Sequence, residues 1–195
     1  MEALCRNKRF SPGETVFRQG EPGRSLVGVI AGKLRISVTS DDGQDLHLNL
    51  IEAGEVVGEI AFIDGGLRTA TGTAAEPITC FLIDRVPFYE LLDRRPVIGR
   101  HLLALLCERV RWTSRLVADS AFLSVPDRML RRLQDLAPSG ETTELGVRIR
   151  ISQQELADYL GVSRQVVNGY LRDWQEAGEV HLSRGTITLL PAFDT

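Results

Sequence analysis

Residues 152–178 have the sequence SQQELADYLGVSRQVVNGYLRDWQEAG, which predicts two helices joined by a tight turn. Ser152 and Glu155 form a capping-box pattern, in which the Ser hydroxyl and the Glu carboxylate accept from free N–H groups at the start of a helix. The first helix is expected to end at Gly161, because Gly readily adopts the left-handed conformation that ends many helices. Ser163 is then a favoured cap for the second helix. The C-terminal third of the chain is therefore organised around this helix pair.

The second helix of this pair separates an apolar face from a polar one. At about 100° per residue, Val167, Tyr170, Leu171 and Trp174 share one side, and Arg and amide side chains occupy the other. Arg bonds guanine through two hydrogen bonds, and Gln and Asn do the same with adenine, so the polar face suits base reading in a major groove. Together with one residue of the following hairpin, the side chains predicted to contact DNA are Ser163, Arg164, Gln165, Asn168, Arg172 and Arg184.

The segment after the helix pair supports this interpretation. Residues 180–182 and 186–190 are β-type runs on either side of Ser183-Arg184-Gly185, which predicts a hairpin wing. Such a wing can place Arg184 against a DNA phosphate. Taken alone, the helix pair also fits an ordinary helical hairpin with a solvated polar face, and the wing favours the DNA-binding alternative.

The charge of the chain does not identify its partner. The formal net charge is −3, and residues 120–195 carry 8 Lys or Arg side chains against 10 Asp or Glu side chains. A strongly basic domain would have supported nucleic-acid binding by charge alone, and this segment is not basic. The DNA-binding prediction therefore depends on the motif and on a local basic face.

The composition places the chain among globular proteins, with 43% hydrophobic and 25% charged residues. Its longest apolar run, Leu102–Cys107, is too short to span a membrane, and its first residues lack the apolar core of a secretory signal. Cys5, Cys80 and Cys107 are isolated and form no CxxC pair, so we expect a reducing, cytoplasmic setting. The sequence contains no Ser/His/Asp set, metal-ligand spacing or phosphate-binding loop, and we do not expect an enzyme.

Residues 1–96 are predicted to form an antiparallel β-roll. Eleven of the 18 glycines lie in the first 72 residues, separated by short β-type runs. These runs are 15–17, 26–30, 34–38 and 46–50, and the run at 78–83 closes the region. The runs at 34–38 and 46–50 alternate apolar and polar residues, as half-buried strands do. Asp41-Asp42-Gly43 between them predicts a hairpin turn, because Gly supplies the positive φ that such turns need.

A helical period replaces the strand pattern over residues 97–119. A long helix with a broad apolar stripe, after a complete β domain, usually packs against a partner chain, so we expect a dimerisation helix. The alternative is a helix that folds back on its own roll. Ser124-Val125-Pro126-Asp127 has the residues of a helix start. Residues 120–125 are therefore the predicted hinge, and residues 120–195 the predicted DNA-binding domain.

A candidate ligand segment runs from Gly54 to Thr71. The turn near Gly58–Ile60 can offer free N–H groups to an anion, Arg68 has a fork of donors for a phosphate, and Thr69 adds a hydroxyl. Glu59 can accept hydrogen bonds from a sugar hydroxyl. By chemistry alone, a Gly-rich barrel turn with a surface Arg explains the same residues equally well.

The order of these segments resembles the CRP/FNR superfamily, and the cyclic AMP receptor proteins in particular. Gly58-Glu59-Ile60-Ala61 and Arg68-Thr69-Ala70 are similar to the phosphate-binding cassette of cyclic-nucleotide-binding domains. The stretch 111–123 is similar to the long helix and hinge of that group, and 151–171 to its winged helix-turn-helix. The resemblance implies an α+β fold with an N-terminal antiparallel β-roll, a long dimerisation helix and a C-terminal winged helix-turn-helix.

The resemblance also implies a set of ligand contacts and partners. Gly58 and Ile60 would donate backbone N–H groups, and Arg68 and Thr69 side-chain donors, to a cyclic phosphate. Glu59 would accept from the ribose hydroxyl, and Thr113 and Ser114 would meet the purine edge, one of them across a dimer. The implied pocket walls are Ile36, Leu48 and Ile51. We therefore expect a homodimer that binds double-stranded DNA at a palindromic operator under the control of cyclic AMP or cyclic GMP, with RNA polymerase as a further partner and no membrane association.

The departures from the family pattern limit what can be carried over. The cysteine set of members with an iron–sulfur cluster is absent, the three His residues match no haem position, and we expect no metal. Receptors of the cyclic AMP type usually have a Glu and a second Arg where this chain has Gln165 and Gly169. Gly169 has no side chain to read a base, and it weakens the helix by up to ~1 kcal/mol relative to Ala, so we expect a different operator. Control by another signal, or by protein level alone, is the alternative to cyclic-nucleotide control.

Overall fold

The structure is a computed structural model that describes residues 5–43 and 45–194. The chain divides between Val110 and Arg111 into two compact units, which are described separately below. The first unit contains mainly β-strands and the second combines helices with a small sheet. This arrangement confirms the predicted α+β class.

The first unit is built on two antiparallel four-stranded sheets. Its strands are β1 Cys5–Phe10, β2 Thr15–Phe17, β3 Ser25–Ala31, β4 Leu34–Thr39, β5 Asp45–Ile51, β6 Val56–Val57, β7 Thr71–Ala74 and β8 Ile78–Asp84. One sheet has the order β1-β8-β3-β6 and the other β2-β7-β4-β5. All five predicted runs are strands, which confirms the antiparallel roll.

Three strands and two helices of this unit were not predicted. The strands β1, β6 and β7 are short or polar. The described part of β1 pairs with β8 and is mostly exposed, and its sequence, CRNKRF, has no alternation of apolar and polar residues. The helices are α1 Glu59–Asp64 and α2 Arg85–Arg94. The predicted turn at Asp41–Gly43 is present, since Gly43 has φ 79° and its N–H donates to the carbonyl of Ser40 at 2.9 Å.

The long helix α3 spans Val97–Phe122 and has no fully buried residue. It continues three residues beyond the predicted end at Asp119, because Ser120, Ala121 and Phe122 all tolerate a helix. Only Leu123 and Ser124 separate it from the next helix, so most of the predicted hinge at 120–125 is helical. The Ser124 hydroxyl caps that next helix, accepting from the N–H of Asp127, as predicted.

Different faces of α3 have different surroundings. Ile98 and Leu102 pack against a cluster of the first unit that contains Leu26, Phe62, Ile83 and Phe88. This part of the helix folds back on its own unit, as the sequence-based alternative supposed. Leu103, Val110 and Val117 remain exposed at intervals of seven residues and share one face of the helix.

The second unit places three helices on a four-stranded antiparallel sheet. The helices are α4 Val125–Leu136, α5 Gln153–Leu160 and α6 Arg164–Glu176, and the strands are β9 Glu141–Thr143, β10 Gly146–Ile149, β11 Val180–Ser183 and β12 Thr186–Leu189. The sheet order is β11-β12-β10-β9. Its core joins Met129 and Leu133 of α4 to Leu156 of α5 and to Val167 and Leu171 of α6. Within the described residues, no helix is both long and apolar enough to cross a membrane.

Candidate functional site

The predicted phosphate-binding segment contains a helix of six residues rather than a simple turn. Gly58 precedes α1 in the left-handed conformation, with φ 83°. Its carbonyl accepts from the N–H of Phe62 at 3.2 Å, which closes the first helical turn. The N–H groups of Glu59, Ile60 and Ala61 therefore have no partner within the helix. Ile60 is 43% exposed.

Arg68 is buried, which does not fit the alternative of a surface Arg in a Gly-rich turn. It is 5% exposed, and its guanidinium donates to the carbonyl of Gly58 at 2.8 Å and to the carbonyl of Ser25 at 2.5 Å. The guanidinium carbon lies 4.7 Å from the centre of the Phe17 ring, a cation–π contact. The guanidinium thus lies beside the start of α1 with its plane fixed.

The electrostatic surroundings of Arg68 are acidic. Burial lowers the pKa of the Arg68 guanidinium, while the carboxylates of Glu59 and Glu21 act in the opposite direction. An Arg in such a setting still carries its charge at neutral pH. Of its five N–H donors, two are used by backbone carbonyls, and three remain to contact an anion.

Glu59 is also buried, and it is paired with a residue that the sequence did not indicate. Its side chain is 4% exposed, and its Oε1 lies 3.6 Å from Nε of Arg109, whose side chain is 21% exposed. Nη2 of Arg109 also donates to the carbonyl of Val56 at 3.4 Å. Arg109 belongs to α3, so this ion pair joins the segment carrying the cassette to the long helix.

The other predicted ligand residues are less closely grouped. Thr69 is exposed, beside the buried Arg68. Ile36 and Ile51 lie in the core of the roll, where Ile51 is fully buried, and Leu48 packs against the same core. Thr113 and Ser114 are exposed on α3, in the second unit. Their roles in ligand binding stay predictions.

The helix pair of the second unit has the predicted ends. Ser152 and Glu155 form a complete capping box, with hydrogen bonds of 3.1 Å and 2.9 Å to each other's backbone N–H groups. Gly161 ends α5 with φ 64°, and the Ser163 hydroxyl caps α6 by accepting from the N–H of Val166 at 3.4 Å. These local contacts fix the angle at which α6 leaves α5.

Polar residues of α6 line a groove of about 500 Å³ beside the wing. Its lining consists of Gln153, Arg164, Asn168, Arg172, Gln175, Glu176 and Leu182. A second cleft, of about 290 Å³, runs between the start of α5 and the wing and is lined by both Arg164 and Arg184. Arg164, Arg172 and Arg184 are exposed. They make no ion pair within the described part of the chain, so their donors are available to DNA.

The groove includes residues that the sequence reasoning missed and one unusual amide. Gln153 and Gln175 were not predicted, because they face the groove only once α5, α6 and the wing are packed together. Gln165 is exposed on α6 outside this lining. Oδ1 of Asn168 is buried and has no hydrogen-bond partner among the described residues. Among those residues, no group of three or more His, Cys, Asp or Glu side chains could hold a metal ion.

Comparison with known proteins assigns both units to families. Residues 7–95 match the cyclic nucleotide-binding domain, and residues 127–191 match the Crp-like helix-turn-helix domain. The chain is 33% identical over 183 residues to a CRP-like cAMP-activated global transcriptional regulator of Mycobacterium tuberculosis, covering 92% of this chain and 82% of that protein. It is 32% identical over 183 residues to the cyclic AMP receptor protein of Thermus thermophilus, covering 94% and 83%.

A solved structure gives the same result. The c-di-GMP responsive global regulator CLP of Xanthomonas campestris superposes with a TM-score of 0.89 at 30% identity, over 96% of this chain and 95% of that chain. These proteins regulate transcription, and none of them is described as an enzyme. With its cyclic nucleotide-binding domain followed by a DNA-binding helix-turn-helix domain, this chain belongs to the CRP family of transcription regulators.

Proposed function

We propose that this protein is a homodimeric regulator whose affinity for a palindromic operator is coupled to a purine cyclic mononucleotide. The observation that carries the proposal is the convergence of Arg68, Glu59 and the start of α1 in one part of the first unit. A buried cation, a buried carboxylate and free N–H groups match a cyclic phosphate and its ribose hydroxyl. To act allosterically, an effector held there must bind the form of the protein with high DNA affinity and the form with low DNA affinity with different strengths.

Each element of the site has a defined part in holding the effector. Arg68 would contact the phosphate through the N–H groups that Gly58 and Ser25 leave free, and the N–H groups at the start of α1 would share its charge. Glu59 would accept from the ribose hydroxyl, with Arg109 holding its carboxylate in place. Thr69, Thr113 and Ser114 would complete the contacts, the last two at the purine edge.

The exposed face of α3 supports the homodimer. Leu103, Val110 and Val117 repeat every seven residues, which is the spacing that keeps one helix face against a partner helix. A two-fold dimer presents two recognition helices, and half-sites one helical turn apart would make the operator palindromic. Arg164, Asn168 and Arg172 would read base edges, and Ser163 and Arg184 would hold phosphates. RNA polymerase is the expected partner of the DNA-bound dimer.

Three cyclic nucleotides are candidates for the effector. The relatives from M. tuberculosis and T. thermophilus are described by their cyclic AMP response or binding, which favours cyclic AMP. The hydroxyls of Thr69, Thr113 and Ser114 both donate and accept, and so also fit a guanine edge. The structural relative CLP is described as c-di-GMP responsive, which makes cyclic di-GMP the third candidate.

Isothermal titration of the purified protein with cyclic AMP, cyclic GMP and cyclic di-GMP tests the proposal. We expect saturable binding of one cyclic mononucleotide at micromolar concentration. Arg68→Lys retains the charge but loses the paired N–H donors of the guanidinium. Its Kd for the effector should therefore rise about 10- to 100-fold, which corresponds to the loss of one or two charge-assisted hydrogen bonds. Arg9→Lys, at an exposed strand position, is the matched control and should bind as the wild type does. Binding of cyclic di-GMP alone would replace the proposed effector, and no binding at all would refute cyclic-nucleotide control.

A further inference from the structure

Gly169 is a glycine in the interior of α6. It lies five residues after the start of the helix at Arg164. Gly in a helix interior destabilises the helix relative to Ala, because it has more backbone freedom to lose on folding. An interior Gly therefore needs a reason, either in backbone conformation or in a close neighbour.

Neither reason is found within the described residues. Gly169 is absent from the glycines with positive φ, whereas Gly161 at the end of α5 has φ 64° and needs its freedom. A Cβ built on Gly169 would have no other atom within 4 Å. The residue is also exposed. The folded chain therefore has room for a side chain at residue 169, and no contact among the described residues accounts for the glycine.

Gly169 lies on the side of α6 that faces away from the core. At about 100° per residue, Gly169 lies about 160° from both Val167 and Leu171, which anchor α6 in the core. It therefore lies on the crest of the helix, the part furthest from the core. Gln165, four residues earlier, and Arg172, three residues later, are exposed on the same side. The helix that carries this crest also supplies the groove of polar side chains described above.

We propose that Gly169 is the point of closest approach between α6 and the floor of the DNA major groove. This inference rests on the proposed operator binding and assigns a specific residue to it. With no side chain at the crest, the backbone of α6 reaches the base edges at van der Waals distance, and the helix lies deeper in the groove. Gln165 and Arg172 then reach bases on either side. A side chain at residue 169 would act as a spacer and lift these neighbours from their contacts.

This account predicts opposite effects on folding and on DNA binding. Gly169→Ala and Gly169→Leu both raise helix propensity, so we expect the midpoint of thermal unfolding to rise by about 2–8 °C. DNA affinity should instead fall, by about 5- to 30-fold for Ala and by more for the larger Leu side chain. A purely structural glycine would give the same sign for both measurements. Gly99→Ala is the matched control, since a Cβ there meets only Leu92, at 3.9 Å; it should raise stability and leave DNA affinity unchanged.

The probe is the duplex that the wild-type protein enriches most from a random-sequence library, labelled for fluorescence anisotropy in the presence of its effector. Weaker binding by both Gly169 variants, graded by side-chain size, supports the inference. Equal or tighter binding by the variants overturns it and leaves the operator proposal intact. If the wild-type protein enriches no duplex, the operator proposal fails, and the role of Gly169 fails with it.

Discussion

The ion pair between Glu59 and Arg109 joins the candidate effector site to α3, and a double-mutant cycle measures its strength. The variants are Glu59→Gln, Arg109→Gln and the double replacement. The 3.6 Å separation of Oε1 and Nε corresponds to about 5 kcal/mol of attraction at an effective dielectric constant of about 20. Arg109 is 21% exposed, and screening by water reduces this attraction, so we expect a coupling free energy of about 1–3 kcal/mol.

Urea unfolding of the effector-free protein, followed by circular dichroism, gives the free energies for the cycle. Lys33 and Glu52 provide a matched control, because their ion pair is shorter, at 2.7 Å, but its side chains are 42% and 50% exposed. Exposed pairs are screened by water, and the Lys33–Glu52 cycle should yield no more than about 0.5 kcal/mol. The reasoning is refuted if the Glu59–Arg109 coupling is below about 0.5 kcal/mol, or if the exposed pair couples as strongly.

Three further predictions concern single residues. Arg164→Ala should weaken binding to the enriched duplex about 10-fold or more and relax the preference at one base pair, since a two-hydrogen-bond contact to guanine contributes about 1–3 kcal/mol. A repeated library selection measures the base preference, and an unchanged preference would contradict base reading by Arg164. Phe17→Leu should weaken effector binding about 2- to 10-fold in isothermal titration, because it removes the ring under Arg68, and Phe17→Tyr, which keeps a ring, should bind as the wild type does. Equal effector affinities of the Phe17→Leu and wild-type proteins would show that the ring does not position Arg68. Burial raises the pKa of the Cys80 thiol, so Cys80 should react with a thiol reagent at pH 8 far more slowly than the exposed Cys107, as followed by mass spectrometry; fast modification of Cys80 would contradict its burial. Because the pKa of Cys80 is higher in the folded state than in the unfolded state, Cys80 should also make the free energy of unfolding fall as the pH rises above about 8.5.

The features that the sequence predicts correctly are those determined by near neighbours. The caps at Ser152, Ser163 and Gly161 involve residues three or four positions apart, and the structure contains each of them. The alternation at 34–38 and 46–50 likewise fixes two paired strands and the turn between them. Such signals are local, so a single sequence is enough to recognise them.

The features that the sequence misses depend on residues far apart along the chain. Glu59 and Arg109 are separated by 50 positions, and no periodic pattern relates them. The burial of Arg68 arises from Ser25 and Phe17 on other strands. For this reason Arg68→Ala would not test phosphate binding alone, because it would also remove two hydrogen bonds and a ring contact that stabilise the fold. The helix α1 has only six residues and no side-chain cap, so its sequence carries too little signal.

The measurement that tests the central claim most directly is the affinity of the wild-type protein for its enriched duplex, with and without a saturating cyclic nucleotide. Fluorescence anisotropy at one fixed salt concentration provides both values, since phosphate contacts make the affinity depend strongly on salt. The account predicts that cyclic AMP or cyclic GMP changes the Kd for DNA by about 5- to 150-fold, the usual range of allosteric coupling. The same Kd with either nucleotide and without one would contradict effector control of DNA binding.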